Sequence, residues 1–91
     1  MTIKTKRFDI VEYLDSEEVI QEYLRQVFAD GDAEEIVRAL GYVARARGMA
    51  QVAKDAGLNR ESLYKAFSGE AKPRFDTILR VSRALGVPLT V

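Results

Sequence analysis

Apolar residues recur at helical spacing through most of this chain, and turn residues cut the pattern into short segments. Asp9 to Leu14 has room for one helical turn, with Phe8, Val11 and Leu14 on one side. From Asp15 to Ala29, Val19, Ile20, Tyr23, Leu24, Val27 and Phe28 form a broad apolar stripe. Asp15 is the expected cap of that helix, with Glu18 three residues on as its capping-box partner. Asp30-Gly31-Asp32 breaks the pattern, Gly31 being suited to a left-handed exit and Asp32 to capping the next helix. That helix spans Asp32 to Arg47, with Ile36, Leu40, Val43 and Ala44 facing inward and Gly48 as its stop. Gly41 within it disfavours a helix, and close packing is the expected reason.

Two short helices follow, over 49–56 and 60–67, in the stretch MAQVAKDAGLNRESLYKAF. Three requirements of a helix-turn-helix are met there. Ala53 is small enough for two helices to cross, Gly57 tolerates positive φ in the turn, and Leu63 is an aliphatic anchor for the second helix. Asn59 caps that helix, whose inner positions are Leu63, Ala66 and Phe67. Residues 68–74 form a loop, and 75–85 a last helix with Ile78, Leu79, Val81, Ser82 and Leu85 inward. Gly86 ends it, and residues 87–91 are β-prone. The fold class is all-α, five to six helices, with at most a short C-terminal strand. The expected division is an acidic helical extension over 1–31 and a DNA-binding domain over 32–91. Residues 1–8 read as a basic arm.

Ninety-one residues with 47% hydrophobic composition can bury a modest core. With neither cysteine nor histidine, the chain has no disulfide framework, no thiolate metal site and no histidine base. Adjacent carboxylates at Glu17-Glu18 and Glu34-Glu35 diverge around a helix axis. No nucleophile–base pair or phosphate-binding glycine loop is present, so neither an enzyme nor a cofactor is expected. No apolar run reaches membrane-spanning length and the N-terminus lacks a signal-peptide core, which predicts a soluble cytoplasmic protein.

The zero net charge hides a division. Residues 1–40 carry five basic and ten acidic side chains, net −5, while residues 41–91 carry nine basic and four acidic, net +5. A basic half containing a helix-turn-helix suits a phosphate backbone, and an acidic half must face elsewhere. Ordinary solvated surface is the plainer explanation of the same numbers.

Residues 36–87 resemble the lambda-repressor-like, XRE-type helix-turn-helix family. The resemblance rests on Arg45-Ala46-Arg47-Gly48-Met49, Val52-Ala53, Ala56-Gly57-Leu58, Ser62-Leu63-Tyr64, Ser68-Gly69, Pro73 and Ala84-Leu85-Gly86-Val87. The whole chain is similar to a narrower group, HigA-type antitoxins of the probable addiction module antidote kind. There the matching stretches include Phe8-Asp9 to Tyr13-Leu14, Ala29-Asp30-Gly31-Asp32 and Glu61-Ser62-Leu63-Tyr64-Lys65-Ala66. The resemblance implies a repressor of its own operon that neutralises a small basic RelE/HigB-like toxin and acts as a homodimer on double-stranded operator DNA.

Carried onto this sequence, the family's base-reading positions are Arg60, Glu61 and Lys65, with Tyr64 as accessory. Arg60 or Lys65 can donate to guanine O6 and N7, and Glu61 can accept from cytosine N4. Helix stability offers an alternative for two of them, because Glu61 favours the helix dipole and Glu61–Lys65 is an i,i+4 pair. Phosphate candidates are Gln51, Asn59, Ser62, Ser68, Lys72 and Arg74; for Arg45 and Arg47 the dipole is a sufficient explanation. Residues 87–91 can pair with a symmetry mate or form a tail. Asp15, Glu17, Glu18 and Glu22 suit a basic partner, while the apolar residues of the same helix suit intramolecular packing. Two other functions fit the residues: a free-standing phage-type XRE repressor without a toxin, and a protein-interaction module on this fold.

Overall fold

The computed structural model describes residues 9–69 and 72–87. Six helices follow one another: α1 (Ile10–Tyr13), α2 (Glu17–Asp30), α3 (Ala33–Arg47), α4 (Met49–Ala56), α5 (Arg60–Ala66) and α6 (Phe75–Ala84). The fold is all-α, and the described residues contain no strand. The expected arm over 1–8 lies outside the described residues, as does the possible strand beyond Val87.

α3 is the hub. Helices α1, α2, α4 and α6 all pack on it; α4 also packs on α6 and in turn carries α5. One buried cluster joins these helices: Leu14, Ile20 and Leu24 belong with Leu40, Val43, Leu63, Val81 and Leu85. Each of these side chains stabilises the fold by about 1.5–3 kcal/mol when fully removed from water. Gly41 fits the packing expectation, since a Cβ there would stand 3.1 Å from the Phe67 ring.

Two helix caps differ from the pattern-based reading. The cap of α2 is Ser16, whose hydroxyl accepts from the Val19 amide at 3.2 Å, rather than Asp15. The Asp15 N–H is taken by the Tyr13 carbonyl at the end of α1. The helix therefore starts one residue later and Val19, not Glu18, stands three residues after the cap, so no capping box forms. Gly31 is extended (φ −82°, ψ 153°), not left-handed. Glycine is needed there for closeness: a Cβ would approach the Val27 carbonyl oxygen at 2.6 Å. The extended exit leads into Asp32, which caps α3 by accepting from the Glu35 amide at 2.9 Å.

α2 is also tied to α3 by an ion pair between Glu17 and Arg47, 2.5 Å apart. At the chain's other end, Ser82, the buried polar side chain of α6, donates its hydroxyl to the Val87 carbonyl. That bond and the Val87 N–H to Ser82 carbonyl bond fold the last described residue back against the core.

Candidate nucleic-acid interface

α4 and α5 are joined by three residues, 57–59, and each has a defined local task. Gly57 takes φ 71°, ψ 31°, a left-handed conformation that L side chains rarely adopt. Its N–H bonds the Lys54 carbonyl and the Leu58 N–H bonds the Ala53 carbonyl, closing α4 in a Schellman arrangement. Asn59 opens α5 by accepting the Ser62 amide at 2.7 Å. Leu63 then pins α5 to the core, fully buried, while Ala66 and Phe67 are half-buried. α5 ends at Ala66, one residue before the expected end.

This anchoring leaves Arg60, Glu61, Ser62, Tyr64 and Lys65 exposed along one edge of α5. All four expected base-reading residues stand on that edge. Arg60 lies over the Tyr64 ring, its guanidinium carbon 5.6 Å from the ring centroid, and Nη2 reaches 3.5 Å from the phenol oxygen. Tyr64 is 47% exposed. The stack supports Arg60 while leaving guanidinium N–H groups free to fork onto a guanine edge.

The phosphate candidates divide. Ser62, Lys72 and Arg74 are exposed beside α5 or in the loop after it, Arg74 pairing loosely with Asp76 at 3.4 Å. Asn59 has its side-chain oxygen committed to the cap, which leaves its NH₂ for a phosphate. Gln51 donates to Asp55 at 2.9 Å on its own helix, and Ser68 donates its hydroxyl to the Lys65 carbonyl at 3.0 Å. Arg45 is exposed, whereas Arg47 is held by Glu17.

Two further exposed residues, both on α6, are not singled out by periodicity. Arg80 on α6 reaches the α4–α5 turn: a Cβ on Gly57 would lie 3.9 Å from its Nη1. Phe75, at the start of α6 beside Arg74, is 71% exposed. No local sequence signal marks Arg80, since its nearness to Gly57 comes from the packing of α6 on α4. Among the described residues no group of three or more acidic, cysteine or histidine side chains is placed to hold a metal ion, and no helix is long and apolar enough to cross a membrane.

Comparison with known proteins adds an independent line. A family model described as "Probable addiction module antidote protein" matches residues 4–91. A protein of Haemophilus influenzae (strain ATCC 51907 / DSM 11121 / KW20 / Rd), described only as uncharacterized, is 48% identical over 91 residues, covering 100% of this chain and 94% of the relative. No solved structure matches significantly.

Proposed function

Because the chain belongs to the family of probable addiction module antidote proteins, we propose that it is an antitoxin that also represses its own operon by reading DNA with α5. The observation that carries the DNA part is the way α5 is mounted. A helix-turn-helix must hold its second helix rigidly by a few local contacts and leave the rest of it for the major groove. α5 has one fully buried side chain, Leu63, and an outward edge of Arg60, Glu61, Tyr64 and Lys65. Ser62 on α5, Asn59 at its start, the exposed Lys72 and Arg74 of the following loop and Arg80 at the α4–α5 turn are groups able to meet phosphates, which set register rather than sequence.

A single domain of this size offers little area, so the protein acts as a homodimer on half-sites about one helical turn, roughly 34 Å, apart. Its protein partner is a small RelE/HigB-like toxin, and DNA recognition and toxin binding use opposite halves of the charge division. The protein works by binding, not by catalysis, and in the cytoplasm.

Titrating the full chain against its own promoter DNA tests the repressor part. Affinity should fall steeply between about 50 mM and 200 mM salt, with a log–log slope near −0.9 per phosphate neutralised. Binding that is absent, or indifferent to salt, would sink it. The antitoxin part is tested by co-expression with the adjacent reading frame: growth arrest by the neighbour alone and rescue by this chain are expected, and no rescue would contradict it.

A further inference from the structure

The outer face of α2 carries two hollows with a shared wall. The larger, about 530 Å³, has Leu24, Phe28 and Val87 among its lining residues, together with Glu17, Gln21 and Arg25. The smaller, about 220 Å³, is lined by Tyr13, Val19, Tyr23 and Gln26. Glu18 and Glu22 border both. They stand one helical turn apart, so two like charges are aligned on a single ridge, an arrangement that disfavours the isolated helix by about 0.2–0.5 kcal/mol. Glu17 is paired with Arg47 and Glu22 with Arg25 on its own helix. Among the described residues Glu18 has no ion pair. An exposed ridge with apolar hollows on either flank has the form of an interface core bounded by charge.

We propose that this ridge is the docking surface for the toxin, received as a basic segment that straddles Glu18 and Glu22 and sets apolar side chains into the hollows on either side. This rests on the antitoxin reading above. The occupant's chemistry follows from the surface. Carboxylates at the rim repel nucleic acid and attract lysine or arginine, while Leu24, Phe28, Val19 and Tyr23 offer apolar surface that no cation alone would cover. The position fits a second partner, because α2 packs chiefly on α3, whereas α5 is carried by α4.

The test measures association of the full-length chain with the purified product of the adjacent reading frame, alongside promoter-DNA affinity and thermal melting. Wild-type chain should bind that protein. Glu18→Lys/Glu22→Lys should lose affinity at least tenfold, chiefly through slower association at low salt, with DNA binding and melting unchanged. Glu18→Gln/Glu22→Gln, which keeps the shape and removes only charge, should fall between the two. If wild type binds and both variants bind as well as it does, the docking surface is wrong while the antitoxin reading stands. If wild type forms no complex, both fall. A change in the chain's own oligomeric mass on charge reversal would overturn the proposal in favour of a second copy on the ridge.

Discussion

α2 and α5 both turn charge toward solvent, and they are held in place by different means. α5 is seven residues long and rests on local devices: a left-handed Gly57, the Asn59 cap and one buried anchor, Leu63. α2 is twice as long, buries Ile20 and Leu24 against α3, and gains a pair with Arg47, thirty residues away. A short helix with a single anchor has most of its surface left for a ligand. A longer helix sunk into the core can carry a shaped face, with hollows between its exposed side chains and the residues that flank it.

The sharpest way to break this contrast is to empty the anchors. Leu63→Ala and Leu24→Ala should each cost about 2–5 kcal/mol in chemical denaturation, because both side chains are fully buried. Since the two belong to one cluster, each variant should still unfold in a single transition. A separate early melting of α2 would show that the halves fold independently.

A smaller effect is expected at the turn. Gly57→Ala meets no atom nearer than Arg80 Nη1 at 3.9 Å, so its penalty is the left-handed backbone alone, about 1–2 kcal/mol. Gly57→Asn should lose less. Equal losses at Gly57 and at an ordinary exposed helix position would contradict the turn assignment.

Smaller still is the tie between the halves. Glu17→Gln should lower stability by under about 1 kcal/mol, since Glu17 is largely exposed and salt screens its attraction to Arg47. Molar salt should erase the difference between variant and wild type. The slightest signature lies at high pH. Burial raises the Tyr23 phenol above its ordinary 10.0, with the Tyr42 charge adding to the shift. A raised folded value means that this group's contribution is complete below pH 10 and lost as pH climbs through the folded value. Tyr23→Phe should flatten that alkaline decline; an unchanged slope would place its source elsewhere.

The same contrast explains what the sequence makes legible. Gly57, Asn59 and Asp32 act within a few residues of themselves, and Leu63 follows from the helical period, so residue type and spacing disclose their roles. The two misread positions are local competitions settled by neighbours. Asp15 can cap a helix, but its backbone closes the end of α1 by donating to the Tyr13 carbonyl, and the Ser16 hydroxyl accepts the Val19 amide instead. Gly31 can adopt positive φ, but the chain needs it for a close approach to Val27. Contacts across the core leave no local trace. Arg47 at a helix C-terminus looks like a dipole partner, and only the packing of α2 on α3 brings Glu17 to it. Arg80 over the α4–α5 turn and the paired hollows beside Glu18 and Glu22 are of the same kind. That Arg60, Glu61, Tyr64 and Lys65 stand exposed on α5 is legible in the sequence because the helix has a regular period and one anchor.

The claim that α5 is a DNA reader is tested most directly by the affinity of Arg60→Ala for the chain's own promoter at physiological salt. Arg60 is exposed and packs only on the surface of Tyr64, so its removal should change melting little. Binding should weaken by about 1–3 kcal/mol, roughly fivefold to more than a hundredfold. Wild-type affinity in the Arg60→Ala protein would contradict the account.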